Sequence, residues 1–392
     1  MAGSGRGRVV RSLQEGERTM RRALVAGHVC IDLIPALAGP VDLAPGGLVE
    51  VGPIALRPGG CVSNTGRDLL ALGAPAQLIA DVGDDEMGRV LCRMLAAEAG
   101  PAAALRAIPG QTTSYSLVVQ PPGGDRVFWH HVGANASFDG DGIDLAAGDL
   151  LHVGYPPLLP ALAAGGAAGL RALLSRARAR GLTTSVDLVV VDRDSEAGQQ
   201  DWEAILRDTL PLVDVFTPSV DDLASVLRRD FTTSPEALSE LAGRIVTGGA
   251  AVVALTAGPH GLLLRTAGPQ RLAAGGPVLA ALPPSWADRE LWVPPLSATV
   301  VSTVGAGDAA TAGLLYGLLA GAEPEDAALT AAGAAALRVS GHDRLPHYDE
   351  SAIAETNVVA ADRSGWDRGR RGVFTGHADS AVSGMPRTMP GG

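Results

Sequence analysis

The chain of 392 residues carries a formal net charge of −11 and a pI of about 5.2, with 46% hydrophobic and 19% charged residues. That size and apolar content suffice for a single large α/β domain. The acidic balance excludes a general nucleic-acid binder, which needs a basic face, but leaves small anionic substrates open because they read local charge. Lysine is absent from the whole sequence. Its absence excludes a Walker-type phosphate loop, the strand lysine of a protein kinase and a pyridoxal-phosphate Schiff base. Any phosphate is therefore handled by backbone dipoles, metal and arginine. Cys30, Cys61 and Cys92 are odd in number, widely spaced and without a CxxC pair. Neither a disulfide framework nor a zinc site is indicated, and a reducing cytoplasm is the expected compartment. No apolar run reaches the roughly 20 residues of a membrane helix without a Gly, Pro or polar break.

In chain order, residues 1–20 read as a flexible leader without an apolar signal core, and Met20 as an alternative start. Residues 22–35 read as a buried strand ending near Gly27 and Asp32, where α/β folds place ligands. Asp32 there is either a cap on the next turn or a carboxylate for substrate hydroxyls. Residues 36–58 suggest short strands projecting from the main body. Gly59 and Gly60 precede Asn64 and a helix over 67–72, which Gly73 stops. Paired glycines let backbone approach a ligand, and Asn64 is either a helix cap or a polar contact. A strand over 76–81 leads to an acidic-capped helix ending near Ala99. Residues 112–120 and 126–131 alternate around a Pro-Pro-Gly-Gly turn at 121–124, a hairpin signal. The adjacent His130 and His131 have poor geometry for one metal.

From residue 149 onward strand and helix alternate. Strands fall at 150–154, 183–191 with Asp187, 213–217 and 250–256, and helices at 158–180, 202–210 and from 219. Such alternation predicts a parallel sheet covered on both faces. Apolar pieces at 262–265 and 291–293 suggest an antiparallel excursion, 327–339 a helix, and 363–392 a disordered tail.

The chain is organised around residues 300–308, Val-Val-Ser-Thr-Val-Gly-Ala-Gly-Asp. A β-branched strand is expected to feed a glycine turn that opens a helix through Leu319. N–H groups at a helix start have no intrahelical partner, and the dipole there favours an anion. Asp308 would repel phosphate, so its presence makes sense if the carboxylate acts on the group being transferred. Gly305, Ala306 and Gly307 are expected to hold a phosphoryl group while Asp308 takes the proton of an attacking alcohol.

Taken together, these stretches resemble the ribokinase-like (PfkB) family of sugar and nucleoside kinases over about residues 21–350. Gly305-Ala306-Gly307-Asp308 after Ser302-Thr303 looks like its C-terminal signature, and Gly59-Gly60 with Asn64 like its N-terminal one. Val82-Gly83-Asp84 with Gly88, Gly27 with Asp32, and Thr256 with Gly258 and Gly261 match further family positions. The resemblance implies a three-layer α/β/α sandwich with a mostly parallel central sheet of about nine strands and a small β-sheet lid. The kinase domain would span 21–362, with the lid from about 36–58 and 107–131. It implies Asp308 as base, the 305–308 amides as anion hole, and Asp32, Gly59, Gly60 and Asn64 on the acceptor. Thr256, Gly258, Gly261 and Thr303 would hold ATP, with Mg²⁺ as cofactor and a homodimer through the lid as the partner.

The sequence departs from the family pattern in places. Ser302 stands where Asp is usual. The family's Asn-x-x-Glu, linked to magnesium, is Ser219-x-x-Asp222, which leaves Asp222 as the residue to order metal-bound water. Asp187 lacks the Asn and Arg that often follow it. Low aromatic content gives a nucleoside few stacking candidates (Phe128, Trp129 and Phe138), which favours a sugar. Two other classes stay open. Gly305-x-Gly307-x-x-Ala310 satisfies a loose dinucleotide pattern, as in an oxidoreductase, and divergence at 187–191 and 219–222 fits a non-catalytic sugar or nucleotide sensor.

Overall fold

The structure is a computed structural model and describes residues 20–39, 45–121, 126–342 and 361–362. The expected leader before Met20, the hairpin tip at 122–124 and the tail at 363–392 lie outside the described residues. The order begins β1 (Ala23–Gly27), β2 (Cys30–Pro35), β3 (Ile54–Gly59), α1 (Cys61–Leu72), β4 (Ala76–Gly83) and α2 (Glu86–Ala99). It continues with β5 (Ala103–Ile108), β6 (Tyr115–Val119), β7 (Val127–His131), β8 (Leu150–Gly154), α3 (Pro160–Ala179) and β9 (Thr183–Asp187). Next come α4 (Trp202–Thr209), β10 (Val215–Phe216), α5 (Val220–Leu227), α6 (Pro235–Thr247), β11 (Val252–Thr256) and β12 (Leu262–Thr266). The chain ends with α7 (Pro269–Ala273), α8 (Gly276–Leu279), β13 (Glu290–Val293), α9 (Ala306–Ala320), α10 (Pro324–Val339) and β14 (Ala361–Asp362).

Ten strands form one sheet in the order β14-β13-β12-β11-β10-β9-β8-β1-β4-β5, parallel from β11 to β5 and antiparallel through β12, β13 and β14. The expected excursion at 262–265 and 291–293 is this antiparallel edge. Every residue of β1 is buried, because the sheet is covered on both faces. Leu24 and Ala26 point into one apolar layer, with Leu170, Leu223 and Leu241 of α3, α5 and α6. Ala23 and Val25 point into the other, with Leu69, Leu314 and Ala331 of α1, α9 and α10. The period-two alternation of strand side chains thus separates two cores across one sheet.

A second sheet of four strands, in the order β3-β2-β6-β7, stands beside the first. β2 pairs antiparallel with β3 and parallel with β6, and β6 pairs antiparallel with β7. The single strand expected over 22–35 is therefore two strands in two sheets, broken at His28 and Val29. Residues 47–50 form no strand, and Leu48 is 91% exposed. β5 had no strand expected for it, and its last residues, Ala107 and Ile108, lie in the large sheet and not in the lid expected from about 107.

The strand expected at 300–304 is absent. Val300 and Val301 are 70% and 61% exposed, and the backbone runs irregularly into the turn before α9. β-branched composition favours a strand only where a sheet edge can take it up, and the residues that pair with β13 come instead from β14. The helix expected at 67–72 begins earlier, at Cys61, with Gly60 (φ +83) as its N-cap. Asn64 is therefore inside α1 and does not cap it.

Candidate active site

The parallel registers place Gly27, Gly154 and Asp187 side by side at the C-terminal ends of β1, β8 and β9. Strand ends of this kind are where open α/β sheets bind ligands. Helix α9 starts over the same edge. Gly305 precedes it in the left-handed region (φ +72) and supplies no side-chain cap, while the first helical amide, Ala306 N, bonds to Thr303 O at 3.3 Å. A Cβ placed on Gly307 would meet nothing within 4 Å, so there is open space over this turn.

Asp308, in the first turn of α9, is 3% exposed. Three side chains donate to its carboxylate. Asn64 Nδ2 reaches Oδ2 at 2.9 Å, Thr65 Oγ1 reaches Oδ1 at 3.2 Å, and the Tyr155 hydroxyl lies 2.8 Å from both oxygens. Burial pushes the Asp308 carboxyl above its ordinary value, and the hydrogen bonds from Asn64, Tyr155 and Thr65 oppose the rise without cancelling it. Behind this group Arg338 of α10 forms a two-bond contact with the buried Asp68 of α1, at 2.6 and 2.7 Å. Burial still raises Asp68 to about 6.

Asp32, on β2, faces the same region and is 8% exposed. Burial raises it to about 6, held down in part by hydrogen bonds from Cys30 and Ser116, and the negative charge of Asp308 adds to the rise. Gly59 of β3 pairs with Cys30, two residues before Asp32, and a Cβ on it would come within 2.5 Å of the Asp32 carboxylate carbon. Any larger residue here would have to turn the Asp32 side chain or shift β3.

A polar chain continues from Asp32 across the small sheet. Cys30 Sγ lies 3.4 Å from Asp32 Oδ1 and 3.7 Å from Ser116 Oγ. Ser116 Oγ lies 3.0 Å from His130 Nδ1, and His130 Nε2 lies 3.4 Å from His28 Nε2. Burial lowers His130 to about 4 and takes His28 well below its ordinary value, so the pair is neutral near pH 7. His130 thus serves a hydrogen-bonded wall, while His131 points to Thr112 Oγ1 at 2.9 Å. Arg126, just before β7, donates to Thr303 Oγ1 and ties the small sheet to the turn ahead of α9.

Thr256, Gly258 and Gly261 sit at the end of β11, where Thr256 N bonds to Pro218 O at 3.2 Å. Among the described residues no hydrogen bond joins them to the Asp308 cluster. Ser219 and Asp222 form a reciprocal capping box at the start of α5: Asp222 N donates to Ser219 Oγ at 3.0 Å and Ser219 N to Asp222 Oδ2 at 2.8 Å. One oxygen of Asp222 is therefore committed to the helix. Burial raises Asp222 to about 6 and Asp187 well above its ordinary value, and the charges of Asp222 and Asp308 add to the rise at Asp187.

The structure brings Asp32, Gly59, Gly60, Asn64 and the 305–308 turn together, and leaves the β11 turn as a separate group. Sequence reasoning missed Thr65, Tyr155, His28 and Ser116. Tyr155 directly follows a strand-end glycine, which was the available signal. Of the proposed stacking residues, Phe138 is buried in the core, at 2% exposure. On β7, Trp129 points to the opposite face from His130, which leaves Phe128 of that set on the pocket side.

The pfkB family carbohydrate kinase model matches residues 20–344. An uncharacterized sugar kinase of Archaeoglobus fulgidus is 28% identical over 264 residues, covering 66% of this chain and 88% of that relative. The fold is similar to Arabidopsis thaliana ribokinase complexed with ribose and ATP, with a TM-score of 0.65 at 16% identity over 86% of this chain and 98% of that one. It is also similar to a Burkholderia thailandensis nucleoside kinase in complex with inosine, with a TM-score of 0.58 at 19% identity over 82% and 92%. The chain belongs to the pfkB family of carbohydrate kinases, and it is a kinase of the ribokinase fold.

Proposed function

We propose that this kinase transfers the γ-phosphoryl group of ATP to an alcohol of a sugar or sugar derivative, with Asp308 as general base. The observation that carries the reading is Asp308 itself: a buried carboxylate with raised proton affinity, in the first turn of a helix whose leading amides have no side-chain cap. The acceptor lies between Asp32 and Asp308, with Gly59, Gly60 and Asn64 against it. Its hydroxyl oxygen bonds to the γ-phosphorus as the bond to the bridging oxygen of ADP breaks, and its proton passes to Asp308. The transition state for such transfer is loose, so positioning and charge stabilisation by the 305–308 amides dominate over activation of the nucleophile.

ATP lies along Thr256, Gly258, Gly261 and Thr303. Asp187 and Asp222 are the groups that would face Mg²⁺ through water. The two are close enough for the charge of Asp222 to act on Asp187, and an ion that keeps its waters is held by one or two carboxylates plus substrate phosphates. When bound, the ion neutralises charge on the phosphates. The small sheet closes over the acceptor as a lid, and residues 21–362 form one kinase domain. The lid face carrying Ile54, Leu56 and Trp129, 44–53% exposed, is the surface for a homodimer.

A sugar is favoured over a nucleoside because the pocket is walled by hydroxyl-binding groups, Asp32, Ser116, His28 and His130, with Phe128 the one member of the expected stacking set on that side. A phosphorylation screen of sugars, sugar phosphates and nucleosides with ATP and Mg²⁺ tests the reading. ADP formation at background across the panel would favour the non-catalytic sensor instead.

A further inference from the structure

Tyr155 directly follows β8 in the left-handed region (φ 63, ψ 50) and directs its hydroxyl at Asp308. The hydroxyl lies 2.8 Å from Oδ1 and 2.8 Å from Oδ2. Asn64 and Thr65 each serve one oxygen, so Tyr155 is the donor that spans both. It approaches from the acceptor side, because its ring stands 5.7 Å from that of His28, which adjoins His130 of the small sheet. An alcohol that gives its proton to Asp308 must bring its oxygen within about 2.6–3.2 Å of this carboxylate. Tyr155 holds that position. Burial and the negative charge of Asp308 keep its hydroxyl protonated, so it stays a donor.

We propose that the Tyr155 hydroxyl is a placeholder for the acceptor hydroxyl, which keeps Asp308 from activating water until a sugar displaces it. The proposal rests on Asp308 being the base. The reaction it suppresses is hydrolysis: a water oxygen bonds to the γ-phosphorus of ATP, the bond from that phosphorus to the β–γ bridging oxygen breaks, and a water proton passes to Asp308. The products are ADP and inorganic phosphate. A sugar brings further hydroxyls to Asp32 and the Ser116–His130 wall, and these contacts offset the loss of the tyrosine contact. Water brings none, so it cannot displace Tyr155.

The test is inorganic phosphate release from ATP and Mg²⁺ with no acceptor, using the full chain, Tyr155→Phe and Tyr155→Asn. Asparagine is included because it tolerates left-handed backbone and decides the matter if the phenylalanine variant does not fold. Both substitutions are expected to raise hydrolysis about tenfold or more, and adding Asp308→Asn should return it to background. Hydrolysis equal to or below that of the parent in a folded variant overturns the placeholder, as does a parallel loss of hydrolysis and sugar phosphorylation, which would make Tyr155 an orienting residue. Failure of the parent to form ADP with any sugar or nucleoside overturns the kinase reading instead, which separates the two.

Discussion

Asn64 and Asp308, 244 residues apart in sequence, meet through a 2.9 Å hydrogen bond that joins the first turn of α1 to the first turn of α9. The contact holds the carboxylate of the proposed base at a fixed angle to the glycine turn. Asp308→Asn should lower kcat by about 10²–10⁴-fold with little change in ATP binding, read by steady-state kinetics and nucleotide titration. Asn64→Ala should lower kcat less, because Thr65 still orients the carboxylate. A Asp308→Asn variant that retains most of its turnover would remove the assignment.

Gly59 and Asp32 make an independent test of the acceptor side. A methyl group on Gly59 would lie within 2.5 Å of the Asp32 carboxylate carbon, so Gly59→Ala must turn that side chain or bend β3. The expected result is a rise in KM for the sugar of about tenfold or more, corresponding to about 1.4 kcal/mol, with KM for ATP nearly unchanged. Equal effects on both substrates would point to a general distortion.

Activity should fall as the medium is acidified through about pH 6. Asp32 and Asp222 are both raised to about 6, and Asp308 is raised as well, so lowering pH protonates the groups that must accept hydrogen bonds or a proton. The limb belongs to coupled carboxylates and not to one residue. His130, lowered to about 4, remains neutral across it. A pH profile of kcat/KM from 4.5 to 8 checks this, an interval of about three and a half units around the ordinary carboxylate and imidazole ranges; activity that rises on acidification would contradict it.

Arg126 links the small sheet to the turn before α9 through Thr303. In a chain with no lysine, this guanidinium adds positive charge beside the turn proposed to hold the phosphoryl group. Arg126→Ala is expected to lower kcat/KM for ATP by about 10–100-fold without lowering thermal stability. A loss of melting temperature matching the loss of activity would assign the residue to the fold.

The Arg338–Asp68 pair should act on stability. Asp68 is 1% exposed and receives both hydrogen bonds from one guanidinium nitrogen. Removing the cation leaves a buried carboxylate unpaired, which costs about 3–5 kcal/mol. Arg338→Met should therefore lower the denaturant midpoint strongly. The double variant with Asp68→Leu should recover part of the loss, because no charge is then left buried.

Much of the fold was legible because local chemistry repeats along the chain. The alternation of apolar strands with helices from residue 149 onward, and the capped turns at Asp85 and Ser219, report on nearest neighbours. The errors have the same origin. Val300 and Val301 have strand-like side chains, but whether a strand forms there depends on a free sheet edge, which is a property of distant residues. Of the two readings of Asn64, the cap fails because α1 starts at Cys61, earlier than expected.

The sequence by itself determined the class of fold, the family pattern, the lack of a lysine for phosphate chemistry and the place of Asp308 as the carboxylate in the first turn of a helix. Each of these is written in composition or in a short contiguous run. The surroundings of that carboxylate were decided only by tertiary structure. Thr65 and Tyr155 lie 243 and 153 residues from Asp308 in sequence, yet both reach it. They meet because parallel pairing of β1, β8 and β9 aligns their C-terminal ends beneath α9. Strand order and register arise from packing across the whole sheet, so no local pattern specifies which side chains share one carboxylate.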